Sequence, residues 1–253
     1  MITKTDIHLV IPCFQESRRI LAFLPELCRE MTALGGVQIQ VVDDGSGPKE
    51  AAQMSGIVDG LRMDFSCLLP LKVLPDNHGK GGAVYAGWSE SGGAAWLAFV
   101  DADGSCSAVE VARLLRTVRS CPSGLQQAWF ASRIKMLGRR VERLLKRHLL
   151  GRVYATLVSE MLEVPVYDSQ CGLKVVPRAV FEQIAGQLEV QGFAFDVELM
   201  VALLDAGCEV VEVPIDWHEV PGGKVRLLHD SWRMALDVWR IRKRRALWRR
   251  SAR

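Results

Sequence analysis

Trp96-Leu-Ala-Phe-Val-Asp-Ala-Asp-Gly-Ser105 passes from five apolar residues straight into two carboxylates and a glycine turn. A short apolar run bounded by turn residues is the mark of a buried strand. Ala108 to Ser120, which follows, has the apolar spacing of a helix, and the same strand-then-helix order recurs upstream. His8 to Pro12 reads as a strand and Ser17 to Leu34 as a helix. Val37 to Val42 and Glu50 to Leu61 make the next such pair, and Leu68 to Leu74 with Gly79 to Ser89 the third. Repeated strand–helix units predict a largely parallel α/β sheet flanked by helices, with ligands at the carboxyl ends of the strands. Turn residues fall where that rule wants them, at Pro12, Asp43-Asp44-Gly45-Ser46 and Asp101-Ala102-Asp103-Gly104.

Beyond this region the pattern is less regular. Glu142 to Leu162 reads as a long helix with an apolar stripe (Leu145, Leu149, Val153, Leu157, Met161), and Arg178 to Ala185 and Phe195 to Leu204 as two more. Val210 to Pro214 is a late strand. Asp230 to Trp248 is a basic amphipathic helix with Trp232, Leu236 and Trp239 on one side. No repeat or low-complexity linker interrupts the chain. We divide it into one domain over 1–223, whose helix at about 142–162 is a candidate to lie at an interface, and a basic tail over 224–253.

A chain of 253 residues with 49% hydrophobic and 24% charged composition buries a full core and is not disordered. Seven scattered cysteines contain no C-x-x-C pair, so a zinc knuckle or redox pair is not indicated and a reducing compartment is expected. Met1 to Asp6 is polar, which predicts no signal peptide. The longest uncharged run, Ser120 to Ser132, has thirteen residues, short of the roughly 18 that a spanning helix needs. Charge is unevenly spread: Lys224 to Arg253 carries net +9 and Arg133 to Arg152 net +7, within an overall +3. Two basic segments on an acidic body predict an anionic partner at one face, whether lipid headgroups, a lipid phosphate or nucleic acid. No nucleic-acid-binding motif accompanies the charge, so nucleic acid is not expected.

Three turns carry chemistry. Asp101 and Asp103, two residues apart at a strand end, can hold one hard cation and leave positions for substrate oxygens. Such a cation neutralises the departing charge of a nucleotide diphosphate. The plainer reading is that they cap the helix starting near Ser107. Asp43 and Asp44 could accept from a base N–H and from ribose hydroxyls, or simply form an Asx turn. Asn77-His-Gly79-Lys80-Gly81-Gly82 opens a helix and suits an anionic group near its amino end, but it lacks the Walker pattern and could be only a glycine-rich turn.

Taken in order, Ile11-Pro12-Cys-Phe-Gln15-Glu16, Val42-Asp-Asp-Gly-Ser46, Asn77-His-Gly-Lys-Gly81 and Asp101-Ala-Asp-Gly-Ser105 occupy four successive strand ends. This set resembles the family 2 glycosyltransferases, with their Rossmann-like GT-A fold. Ser132-Arg133, Asp168-Ser-Gln-Cys-Gly-Leu-Lys174, Gly192-Phe-Ala-Phe-Asp-Val-Glu-Leu199 and Val213-Pro-Ile-Asp-Trp217 resemble the polyprenyl-phosphate branch, closest to the dolichyl-phosphate β-glucosyltransferases. The resemblance implies that Pro12, Glu16, Asp43 and Asp44 line a nucleoside pocket with Lys80 near it. It puts Asp101 at the ribose and metal, and Asp103 at the metal and diphosphate. Arg133, Arg147 and Lys174 would meet acceptor or donor phosphates. Gln15, Leu173 and Gly223 depart from the family pattern without removing a charged group.

A hydroxyl acceptor must lose a proton, and Asp196 would have to serve as base. A lipid phosphate is already anionic and needs positioning and charge balance instead. The expectation is therefore an inverting, metal-dependent (Mg²⁺ or Mn²⁺) hexosyltransferase. It would move glucose from UDP-glucose to a polyprenyl phosphate, held peripherally on an anionic membrane at its cytoplasmic face. Asp103, Arg133, Lys174 and Asp196 are its candidate catalytic set. The rivals are a soluble transferase with a small acceptor and a catalytically silent membrane scaffold.

Overall fold

The computed structural model describes residues 5–121, 126–143, 145–220 and 227–251, with backbone alone at 145–148, 227–231 and 246–251. Strands β1 (Ile7–Cys13), β2 (Val37–Asp43), β3 (Lys72–Val73), β4 (Trp96–Val100), β5 (Gln127–Ser132), β7 (Leu173–Pro177) and β8 (Glu209–Pro214) form one sheet in the order β3-β2-β1-β4-β7-β5-β8. β7 runs antiparallel to β4 and β5, and the other neighbouring pairs are parallel. β6 (Val141–Glu142) and β9 (Trp217–His218) pair separately. This is a mostly parallel sheet flanked by helices, as the strand–helix repeats predict.

Side chains alternate across the sheet with the period-2 geometry of strands. Ile7, Leu9, Ile11, Trp96, Ala98 and Val100 pack with α1 (Ser17–Leu34), α2 (Pro48–Arg62) and α4 (Ala108–Ser120). Val10, Leu97, Phe99 and Phe130 face the other layer, built from α3 (Gly79–Trp88), α5 (Leu145–Leu162), α6 (Arg178–Ile184), α7 (Phe195–Asp205) and α8 (Leu227–Ser251). α1 shows why such helices dock: Ile20, Phe23, Leu24, Leu27, Cys28 and Met31 make one buried stripe at helical spacing.

The larger departures from the expected elements are these. The strand expected over 68–74 shrinks to Lys72–Val73 plus one bridge from Leu68 to Ile39, because Pro70 has no N–H to give the ladder. The helix expected from Glu142 starts at Leu145, since Val141 and Glu142 are pinned to Trp217 and His218. β5 and β7 have no counterpart in the sequence reading. Both lie inside the sheet, and β7 enters it against the parallel direction. Finally, α8 buries Val238 and Ile241 in the second core, so its inner face is part of that core.

Candidate active site

Because β1, β2, β3, β4, β5 and β8 run the same way, their carboxyl ends share one edge, and antiparallel β7 brings its amino end there. The turns after β1, β2 and β4, Arg133 after β5 and Gly172 before β7 all meet at that edge. Asp101 N–H donates to Gly172 O at 2.9 Å. A Cβ on Gly172 would lie 2.0 Å from Asp101 Oδ2, so only glycine leaves room for that carboxylate.

Asp43 and Asp44 are both buried but have different duties. Both oxygens of Asp44 are consumed, accepting from His78 N and Gly79 N at 2.8 Å each. Burial pushes its carboxyl above the usual range, against the pull of those two N–H groups. Asp44 therefore holds the glycine–lysine turn. Asp43 Oδ2 accepts from Ser46 N at 3.2 Å, whereas its buried Oδ1 has no partner among the described residues. An orphaned buried acceptor is costly, and an incoming N–H would satisfy it. Pro12, the penultimate residue of β1, is half-buried nearby, and Glu16 Oε1 lies 3.2 Å from Arg19.

Gly79 has φ 83° and closely approaches Gln191 O, and Gly81 N donates to that same oxygen at 2.7 Å. Pinned between them, Lys80 sends its Nζ to 2.7 Å from Asp101 Oδ1, over the rings of Phe99 and Phe195. Burial opposes the ammonium charge, but Asp101, Asp196 and Asp103 outweigh it and hold the pKa above the ordinary lysine value.

Asp103 Oδ1 accepts from Ser105 N at 2.9 Å, and its Oδ2 lies 3.1 Å from Arg19. The cap of α4 is Ser107, which accepts from Glu110 N at 3.3 Å, so the acidic pair is not needed as a helix cap. Its donor set is two carboxylates, both partly exposed and both now facing cationic side chains. Among the described residues no group of three or more acidic, His or Cys ligands is assembled. Two oxygen donors suit a hard cation whose other ligands come from a diphosphate and water.

Lys174 is placed differently from the expectation that it meets a phosphate. Register sets it between Phe99 and Phe130, fully buried, with Nζ 2.7 Å from Asp196 Oδ1 and donating to Cys171 O at 2.7 Å. No phosphate reaches it there, and it serves as the counter-charge of Asp196. Asp196 is likewise buried. Burial raises its pKa against Lys174 and Lys80, and it does not reach the solvent side of the cleft as a base would.

Arg133 donates from Nε and NH2 to the two oxygens of Asp168, at 2.6 and 2.7 Å, and stacks over Trp217. Burial disfavours both charges, but their mutual attraction wins and drives Asp168 well below the usual carboxylate range. The pair borders a small cleft, lined also by Arg143, Arg152, Tyr154 and Tyr167. Arg152 stacks 4.0 Å over Tyr167. Burial, then the Arg133 charge, lowers the pKa of Arg143. Arg147 has a side chain outside the described residues.

Residues 8–184 match the family described as glycosyl transferase family 2. The chain belongs to that family. It is 29% identical to a dolichyl-phosphate beta-glucosyltransferase of Saccharomyces cerevisiae, over 93% of this chain and 74% of the relative. It is 30% identical to one from Trichomonas vaginalis, over 92% and 69%. Among solved structures, glucosyl-3-phosphoglycerate synthase from Mycobacterium tuberculosis, in complex with Mn²⁺, UDP-glucose and phosphoglyceric acid, superposes with a TM-score of 0.67. That match covers 94% of this chain and 79% of the other at 17% identity, and it shows a shared fold.

Within this family 2 site, Arg143, Arg152, Tyr154 and Tyr167 were not singled out from sequence, and Gly172 stood only as part of the Asp168–Lys174 string. The basic count over Arg133 to Arg152 signalled the arginines as a group. That count does not say which of them line the cleft: Arg143 directly follows β6, which pairs with β9 76 residues away in the chain, and Arg152 lies on α5.

Proposed function

We propose that the chain transfers a hexose, glucose from UDP-glucose, to a polyprenyl phosphate at a membrane surface. The carrying observation is the pairing of two surfaces at one sheet edge: the carboxylates Asp101 and Asp103 with Lys80, and beside them a cleft bordered by Arg133, Arg143 and Arg152. The first surface fits a metal-bound diphosphate. The second fits an acceptor that is itself a phosphate, and the relatives named for dolichyl phosphate support that source.

On this reading Asp43 Oδ1 takes a base N–H, and Pro12 and Glu16 flank the nucleoside. Asp101 and Asp103 would hold Mg²⁺ or Mn²⁺, which when bound would neutralise charge on the leaving diphosphate. An oxygen of the acceptor phosphate forms the new bond to the anomeric carbon while the bond to the donor's β-phosphate oxygen breaks, inverting the centre. The acceptor oxygen carries no proton at neutral pH, so no general base is required. The buried Asp196 is consistent with that. Arg133 and Arg143 balance the acceptor charge, with Arg147 an additional candidate.

The membrane reading draws on exposed apolar side chains: Leu149 and Val153 on α5, Trp232 and Trp239 on α8, and Leu137 in the loop between β5 and β6. Among the described residues no helix is long and apolar enough to cross a bilayer. Tryptophan and arginine together suit the headgroup layer. We place the enzyme peripherally on the cytoplasmic face, where the scattered cysteines remain reduced. The test is calorimetry of UDP-glucose with Mn²⁺, followed by transfer to a polyprenyl phosphate in vesicles. Transfer only to soluble acceptors would favour the first rival, and donor binding without turnover the scaffold.

A further inference from the structure

The run that supplies Asp196 carries a second carboxylate, Glu198, which is fully buried and has no part in the chemistry above. Glu198 Oε2 accepts from Glu189 N at 3.0 Å and Val190 N at 2.7 Å, and Oε1 pairs with Arg244 NH2 on α8. Arg244 NH1 also lies 2.5 Å from Glu189 Oε2. The next residue in that loop is Gln191. Its carbonyl accepts from Gly81 N at 2.7 Å and Gly82 N at 3.2 Å. A Cβ on Gly79 would sit 2.7 Å from the same oxygen. One carbonyl therefore sets the turn that presents Lys80 to Asp101, and one buried carboxylate holds the two residues before that carbonyl.

We propose that Glu198 and Arg244 are positioning residues that tie α8 to the Gly79–Gly82 turn, so that seating of α8 governs how Lys80 meets the donor diphosphate. The inference rests on the donor-side reading of Lys80. A buried charge pair is an expensive way to gain stability, because desolvation offsets most of its attraction and apolar residues of equal volume often do as well. What the charge does supply is geometry: a carboxylate fixes two adjacent N–H groups at once, and a guanidinium fork fixes the carboxylate. The chain of contacts runs unbroken from the helix with the exposed tryptophans to the lysine at the site. Seating α8 and binding donor are thus coupled through a single loop.

The test uses Arg244→Gln in the full chain with two readouts. In ligand-free protein, amide hydrogen exchange at Gly81 and Gly82 should accelerate at least about tenfold while β1 and β4 amides keep their protection. UDP-glucose binding with Mn²⁺ should weaken about tenfold, in the range typical of residues that orient a binding group, with KM for the lipid phosphate unchanged. Arg244→Lys should restore most of both. Arg240→Ala, exposed on the same helix and paired with Asp237, should move neither. Wild-type exchange and donor affinity in Arg244→Gln would overturn the link. So would exchange accelerated evenly across all strands, which marks a purely structural role. Should Arg244→Gln not fold, Glu198→Gln is read the same way, and unchanged values overturn the proposal. A wild-type chain that binds no nucleotide sugar would sink the donor reading alone, because the exchange readout needs no ligand.

Discussion

Among the described residues, four of the ion pairs at the strand edge fall into two kinds by their access to water. Lys80–Asp101 and Arg19–Asp103 keep between 16 and 30% of each side chain exposed. Lys174–Asp196 keeps 2% or less, and Arg133–Asp168 13% or less. An exposed pair contributes little to stability and exchanges partners readily. A buried pair cannot trade its partner without leaving an uncompensated charge in a poor solvent. On the proposed reading, the partly exposed carboxylates are placed to release their cationic side chains to an incoming metal and diphosphate. The buried pairs hold strands and loops in register around them, and only the rim of the Arg133 pair borders the cleft.

The largest effect should come from breaking the most buried pair. Lys174→Ala is expected to destabilise the fold by about 3–5 kcal/mol, read by urea denaturation, and Lys174→Met with Asp196→Leu should recover most of it. A loss under ~1 kcal/mol from Lys174→Ala would erase the distinction between the two kinds of pair.

Asp168→Asn should cost about 3 kcal/mol at neutral pH, since it strands the Arg133 charge. The sign with pH is fixed by the depressed pKa of Asp168. Its contribution is fully present above the ordinary aspartate value, near 3.9, and is lost as pH falls through the lower folded value. Acid titration of the wild type and the variant should therefore show curves that stay parallel above that value and converge below it.

Asp103→Asn tests the exposed kind. Turnover should fall by about two to three decades, while the melting temperature barely moves and metal-dependent donor binding disappears. Full turnover of the wild type in EDTA would remove the metal from the account.

Arg143→Ala should weaken transfer to a phosphorylated lipid by roughly one to two decades, the worth of one charged hydrogen bond at ~1.5–3 kcal/mol, with donor affinity intact. Loss of donor affinity alone would move the arginine cleft to the diphosphate side. The smallest effects belong to the outer face of α8. Arg233→Ala and Arg242→Ala, both exposed, should each lower partition to anionic vesicles by about 1 kcal/mol, and added salt should shrink the difference. Truncation before Arg240 is a poorer probe. It removes buried Ile241 and also Arg245, whose guanidinium grips Asp205 with bonds of 2.7 and 2.8 Å.

Local chemistry made the first half of the chain legible. Pro, Gly and Asp mark each strand end, and the observed bounds of α1 and α4 coincide with those read from apolar spacing. The acidic turns and the glycine–lysine turn were likewise visible, because each is a short contiguous string. Sequence alone determined the parallel strand–helix order, the four motif-bearing turns and the concentration of basic charge, since all three are properties of neighbours along the chain. Only the tertiary structure decided which acids and bases stay available. Nothing local to Lys174 says that β7 enters antiparallel between Phe99 and Phe130 and buries it on Asp196. Asp43 and Asp44 are equals in sequence until a turn more than 30 residues away takes both oxygens of one, while an oxygen of the other has no partner among the described residues. Burial and pairing depend on contacts between distant segments, and those contacts set the free energy of each charge.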